Sequence, residues 1–248
     1  MNADQVLQKA FSMPLTSPSY PKNEFRFINR EFLVITYETD LELLKEIVPA
    51  PLEVTDPIVK FEFIRMPDSS GLGDYTESGQ VIPVSFKGQK GGYVHSMYLN
   101  DVAAIVAGRE IWGFPKKYAK PSFSIDVDTV LGKLQYNSVD VAVGTMEYKY
   151  SSVDVMQLTK SLENDPNFLI KIIPNCDGKN LDICQLVKYN LEKVQVKWAY
   201  QGNAALQLFQ HALAPVAKLP VKRVISGLHF LSDLTLGFGE VIHDYLKK

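Results

Sequence analysis

The chain has 248 residues, 26 Lys+Arg against 28 Asp+Glu, 46% hydrophobic residues and two cysteines. That length suits one large domain or two small ones, and that composition suits a globular protein with a sizeable core. A net charge of −2 argues against a nucleic-acid binder working through a basic face, no apolar run reaches the roughly 20 residues of a membrane span, and two cysteines are too few for a disulfide framework.

The N-terminus opens polar, with Asp4 and Lys9, and lacks the apolar core of a signal peptide. With no Asn-x-Ser/Thr acceptor anywhere, the expected compartment is a reducing cytoplasm. Met13 to Lys22 carries Pro14, Pro18 and Pro21 and reads as an extended lead-in. Strand signals then dominate. Phe32 to Tyr37 is rich in β-branched and aromatic residues. Ile58 to Ile64 alternates in part, with Lys60 and Glu62 on one face and Val59, Phe61 and Phe63 on the other. Val81–Phe86, Tyr93–Leu99, Phe123–Val127, Lys133–Tyr136, Val139–Val143, Thr145–Tyr150, Phe168–Ile173, Leu186–Trp198 and Ala205–Phe209 continue the series, separated by turn residues such as Gly71, Gly88, Asn137 and Gly178.

Helices are few. Asp40 to Val48 carries three leucines, with Thr39 and Glu42 as a capping box, and Pro49 stops it. Val102 to Trp112 starts from Asn100-Asp101 and ends at Gly113 and Pro115. Ser152 to Asn164 is a third, and Glu240 to Lys248 a short fourth. No internal repeat or linker divides the chain. Many short strands between turn signals point to an antiparallel barrel or sandwich. A barrel is preferred because it encloses a pocket and removes edges.

The usual chemical signatures are missing. Gly71-Leu-Gly-Asp-Tyr-Thr76 lacks the third glycine of a dinucleotide loop and reads as a glycine-rich hairpin. There is no P-loop lysine and no Gly-x-Ser-x-Gly elbow. His95, His211, His229 and His243 have no short metal spacing, and Cys176 and Cys184 form no Cys-x-x-Cys.

One segment remains: Arg109-Glu-Ile-Trp-Gly-Phe-Pro-Lys-Lys-Tyr118. An apolar stretch with Trp112 and Phe114 runs through Pro115 into Lys116 and Lys117. Locally this fits a solvated basic pair, and it fits an amine nucleophile. An amine attacks a carbonyl only when neutral, and an ordinary lysine is neutral in about 1 molecule in 2,500 at pH 7. Burial and a nearby positive charge are the two ways to change that. A like charge about 8 Å away at an effective dielectric of 20 supplies about 2 kcal/mol, which is too little alone. Consecutive side chains on an extended segment also point to opposite faces, so Lys117 should aim away and burial of Lys116 should dominate.

The segment resembles the active-site stretch of the acetoacetate decarboxylase family, the standing example of an amine tuned by these routes. Other segments are similar to the family in the same order: Pro14-Leu-Thr-Ser-Pro18, Asn29-Arg-Glu31, Ser70-Gly-Leu-Gly73, Tyr75-Thr-Glu-Ser-Gly-Gln80, Ile82-Pro-Val-Ser-Phe86, Gly108-Arg-Glu110, Lys171-Ile-Ile-Pro-Asn175, Leu206-Gln-Leu-Phe209 and Val241-Ile-His-Asp-Tyr-Leu246. The resemblance implies one domain over 1–248, mainly β (α+β), built as an antiparallel β-barrel with a few peripheral helices, in a large homo-oligomer. It implies conversion of acetoacetate, a small 3-keto acid, to acetone and CO2 without cofactor or metal, and with no nucleic-acid or membrane partner. It implies Lys116 as the imine-forming residue and Lys117 as its positive neighbour. Arg30, Glu62 and Glu77 match the family's polar site residues: Arg30 to orient the carboxylate, Glu77 to pair with Arg30 or stand by the departing carboxylate, Glu62 to shuttle protons. One departure is Phe114, where a tyrosine is as readily expected. The rival expectations are aldol or dehydration chemistry through the same imine, and a non-catalytic barrel binding small apolar ligands.

Overall fold

Both faces of the central strands are covered, and that is why Phe32 to Tyr37 reads as an unbroken apolar run. In the computed structural model, which describes residues 1–247, the chain starts with helix α1 (Ala3–Lys9) and then enters β1 (Phe25–Glu38), α2 (Leu41–Ile47), β2 (Ile58–Ser69), β3 (Gly73–Phe86) and β4 (Gln89–Leu99). Helix α3 (Val102–Ala107) runs into one π-helical turn (Gly108–Trp112) and then β5 (Lys116–Tyr118). A meander follows: β6 (Lys120–Asp126), β7 (Thr129–Tyr136) and β8 (Val139–Glu147). Next come β9 (Ser151–Ser152), α4 (Val155–Asn164), β10 (Asn167–Pro174), β11 (Leu181–Tyr189), β12 (Leu191–Gly202), β13 (Ala204–Leu208), β14 (Arg223–Leu236) and β15 (Glu240–Asp244).

These strands form two sheets. The long one has the order β15-β11-β10-β4-β3-β2-β1-β14-β12-β9, with β5 attached to β4; the short one is β13-β8-β7-β6. Most pairings are antiparallel, but β10 and β5 each join β4 in parallel. The long sheet has two ends. Among the described residues β15 pairs only with β11, and β9, two residues long, pairs only with β12. The ladder therefore does not close, and the coarser expectation, mainly β with few helices, is what the strands draw.

Three local expectations change. Glu240–Asp244 is a strand, not a helix; its backbone is taken up by β11, from Val187 opposite Val241 to Gln185 opposite Asp244, so pairing overrides local propensity. Lys248 lies outside the described residues. Helix α2 is capped by Asp40, whose carboxylate accepts from the Glu42 amide, so Thr39 is not the cap. Leu186–Trp198 is two strands broken at Asn190.

The alternation of β1 separates two cores. Leu33, Ile35 and Tyr37 join Phe61, Phe63, Val130, Leu134 and Val141 between the sheets. Phe32 and Val34 face the other way, with Met97, Trp112, Phe114 and Tyr189. The sheets interlock at one point. Gly132 pairs with Gly144 across β7 and β8, and the Phe63 ring lies over both. A Cβ on Gly132 would sit 2.3 Å from Phe63 Cγ, and one on Gly144 2.6 Å from Cε2. Replacing a strand glycine by alanine normally helps. Here Gly132→Ala should instead cost about 1–3 kcal/mol by overpacking, lowering the thermal midpoint by several degrees at about 2–4 °C per kcal/mol. A midpoint that rises would show that the slot is not closed.

Candidate active site

The segment that carries the lysine pair is shaped before it reaches it. Asp101 caps α3 by accepting from the Ala104 amide. The helix then widens, and the amides of Gly113 and Phe114 both donate to the Gly108 carbonyl at 3.0 Å. Such single π turns concentrate at functional sites. Gly113 ends the turn at φ 90°, a conformation costly for any other residue, and a Cβ there would lie 2.5 Å from Lys171 Cα. The turn is fastened from several sides. Lys171 Nζ donates to the Ile111 carbonyl at 3.0 Å, Trp112 Nε1 to Gly237 at 2.8 Å, and Arg109 to the Lys116 carbonyl at 3.3 Å. Glu110 Oε2 accepts from Ser12 Oγ at 2.9 Å and Tyr20 OH at 2.7 Å, which ties the N-terminal lead-in to the turn. Burial, with the Glu110 carboxylate, pushes the Tyr20 phenol up to about 12.

After Pro115 the chain runs extended as β5, with Lys116 opposite Met97. Lys116 turns into a cavity of about 420 Å³ and is only 7% exposed. Its Nζ lies 3.2 Å from Glu77 Oε2 and 5.0 Å from the centre of the Phe114 ring. Gly108 leaves room for it, since a Cβ there would fall 2.7 Å from Lys116 Cδ. Arg30 Nη2 stands 3.9 Å from the other oxygen of Glu77, and its guanidinium lies over Phe27 and Phe32, 5.1 and 4.7 Å from the ring centres. One buried carboxylate thus faces two bases.

The neighbouring strands β1, β2 and β3 supply Arg30, Glu62 and Glu77 to one sheet face. Phe27 and Arg30 line the cavity together although they are three residues apart, an interval plain alternation forbids. A bulge between Phe27 and Arg30, with Asn29 at φ 55°, restores the phase. Glu62 lines the same wall, and burial pushes its carboxyl above the ordinary range against the pull of Lys60 and Arg30.

Lys117 is not among these residues. It is exposed on the opposite face, where its Nζ donates to the Leu213 carbonyl and lies 5.3 Å over the Tyr136 ring. The basic side chain that meets Glu77 opposite Lys116 is Arg30; Lys60 and Lys90 line the same cavity. Two phenols in the wall, Tyr75 and Tyr189, were not anticipated; burial pushes both well above their ordinary value. Tyr75 was findable, two residues before Glu77 and so on its strand face. Tyr189 has no sequence signal. Among the described residues no group of three or more His, Cys, Asp or Glu is placed to hold a metal.

Comparison with known proteins gives the family. The family model "Acetoacetate decarboxylase (ADC)" matches residues 12–246. The acetoacetate decarboxylase of Burkholderia mallei is 57% identical over 248 residues, the whole of both chains. A solved acetoacetate decarboxylase superposes with a TM-score of 0.96 at 47% identity over the whole of both chains. That of Legionella pneumophila gives 0.91 at 50% identity, covering 97% of this chain and 96% of its own. The chain belongs to the acetoacetate decarboxylase family. In this member the aromatic beneath Lys116 is Phe114, packed edge-on against Tyr189 at 5.2 Å, so that position brings no hydroxyl.

Two measurements follow from the packing. Gly108→Ala should displace the Lys116 amine while leaving the fold intact. Turnover should fall by about 10²-fold, as misplacements near 1 Å do; full activity would mean that the lysine position is not set there. Glu62 carries a pH signature. Its folded-state value lies above the ordinary one near 4.5, so between the two the folded state binds more protons, and stability falls as pH rises through that window. Glu62→Gln removes that loss. Its thermal midpoint relative to the unsubstituted chain should climb as the pH rises above the ordinary carboxyl value; a difference constant with pH contradicts the assignment.

Proposed function

We propose that this chain decarboxylates acetoacetate to acetone and CO2 through an imine on Lys116. The observation that carries the reading is the buried Lys116 amine at 3.2 Å from Glu77, with Arg30 on the far side of the same carboxylate. Attack needs the proton to leave Nζ, and Glu77 Oε2, 3.2 Å away, is the base within reach. Condensation of the amine with the ketone expels water and gives a protonated imine. That cation takes the electron pair of the C–C bond as the carboxylate departs as CO2. The enamine then gains a proton on carbon, and water returns acetone and the free lysine. The lysine is its own electron sink.

Arg30 supplies a permanently charged fork for the substrate carboxylate. Once the proton taken from Lys116 has passed on to water, the Glu77 carboxylate beside that of the substrate disfavours it only while the substrate group is charged. The repulsion ends as CO2 forms, so it lowers the barrier and not merely the affinity. Glu62, whose carboxyl burial pushes above its ordinary range, is suited to giving and taking protons during imine formation and hydrolysis. Lys117 acts, in this reading, from outside the cavity.

The reading extends to the whole molecule: one acetoacetate decarboxylase-like domain, its long sheet curled in the manner of a barrel, in a homo-oligomer of the cytoplasm. Large apolar side chains at the surface support the oligomer, among them Val127 at 90% and Phe238 at 61% exposure. Among the described residues no helix is long and apolar enough to cross a membrane.

Borohydride added with acetoacetate should reduce the imine to a stable adduct that peptide mass mapping places on Lys116. Lys116→Ala should lose both the adduct and CO2 release while keeping its thermal midpoint. An adduct elsewhere, or CO2 release by the alanine variant, rejects the assignment.

A further inference from the structure

Carbonyl addition puts negative charge on an oxygen, and the cavity must meet that oxygen with a donor. The wall offers few. Around the amine Phe27, Phe32, Met97 and Phe114 have no polar hydrogen to give, and Arg30 is the group that holds the substrate carboxylate in the reading above. Of the two wall phenols, Tyr75 and Tyr189, the second is the one packed against Phe114. It ends β11 in the cavity wall and is 7% exposed. Its ring stands edge-on to Phe114 at 5.2 Å, and the Lys116 amine stands 5.0 Å from the centre of that same Phe114 ring. Its hydroxyl makes no hydrogen bond to any described residue, and it is not among the polar atoms sealed away from space without a partner. An unpartnered phenol therefore opens on the cavity beside the amine.

We infer that Tyr189 is a further catalytic residue, donating a hydrogen bond to the ketone oxygen of the substrate while Lys116 adds to the carbonyl carbon. The inference rests on the imine reading above. As the N–C bond forms, the π pair of the carbonyl moves onto oxygen. That oxygen is held by Tyr189 and receives the proton leaving the nitrogen, so the carbinolamine is neutral. It then departs as water with a second proton from Glu62. Tyr189 keeps its own proton throughout, in line with the burial that pushes its ionisation above the ordinary phenol value. The ketone oxygen is the target because charge grows there. A donor to the carboxylate would hold the ground state more tightly than a transition state that is losing CO2.

The test separates addition from C–C cleavage by following exchange of the acetone carbonyl oxygen with 18O-water, which needs imine formation and hydrolysis alone. In Tyr189→Phe, exchange should fall by about 10²-fold, the usual effect of removing one such donor, while borohydride still traps the adduct on Lys116, only more slowly. Replacement of Tyr189 by 3,5-difluorotyrosine keeps a hydroxyl and should restore exchange, which a purely packing role of the ring does not predict for a loss caused by one oxygen atom. Exchange in Tyr189→Phe within about threefold of the unsubstituted chain overturns the inference. If the phenylalanine variant does not fold, the fluorinated one decides alone: a stronger donor should exchange faster than the unsubstituted chain, and an unchanged rate overturns the inference. An unsubstituted enzyme that forms no adduct removes the imine itself, and this inference with it.

Discussion

A single carboxylate, Glu77, lies between two basic side chains inside an apolar cavity, and the surrounding fold is what keeps it there. Buried charges are tolerated only when partnered, and removing one partner strands the other. Glu77 is 3% exposed and meets Lys116 on one oxygen and Arg30 on the other. The three come from separate strands, so their meeting is a statement about register. A slip of one residue in β1 would turn Arg30 out of the cavity and put Asn29 or Glu31 in its place. The bulge at Asn29 and the ladder from Arg30 opposite Ser232 onward fix that phase. Lys116 is fixed differently, by a short parallel pairing of β5 with β4 and by a turn tied to Gly237, Lys171 and the N-terminal lead-in.

The strands that were legible are those whose residues speak locally. Phe32–Tyr37 and Ile58–Ile64 lie inside β1 and β2, and the continuous apolar character of the first follows from its two covered faces. Strand β14 was missed although it is central, paired along its length with β1 and β12. Its sequence carries Gly227, Ser232 and Asp233, which read as breaks. In the fold Gly227 and Asp233 each have a reason. Gly227 lies where a Cβ would meet Ala204 and Met146, and Asp233 accepts from the Asn29 amide at the bulge. Residues that look like punctuation are there serving the neighbouring strands, and a single sequence does not display neighbours. The C-terminal strand failed for the same reason: β15 exists because β11 offers an unpaired edge.

The site divides along the same line. The apolar lead into Lys116-Lys117 marked a place of interest, but the local pattern equally described a solvated pair. What separates the two is burial by residues distant in sequence, from Glu77 to Tyr189. Strand alternation did assign Lys116 and Lys117 to opposite faces, because that rule needs no knowledge of the rest of the chain. It also put Glu62 opposite Phe61 and Phe63. By pattern alone that face looked solvent-facing, and it lines a cavity because α4 covers it with Leu158 and Leu162. The family resemblance carried Arg30, Glu62 and Glu77 because it records outcomes of folding that periodicity cannot see. It also offered Arg30 as a partner for Glu77, and the geometry puts Arg30 there and Lys117 on the outer face.

The π turn explains why so much structure is spent on five residues. A regular helix continued from α3 would close its hydrogen bonds one residue earlier. The widened turn instead brings the amides of Gly113 and Phe114 back to one carbonyl, that of Gly108. It also sets Gly108, the residue without a side chain, against the aliphatic stem of Lys116. The stem is held by a surface with no side chain of its own to move aside, while the tip meets Glu77. Because the turn is fastened through backbone carbonyls and through Glu110 to Ser12 and Tyr20, its shape depends on segments from both ends of the chain. The amine is thus positioned by the completed fold rather than by its own flexible side chain, which is the condition under which a lysine can serve as a nucleophile with a defined direction of attack.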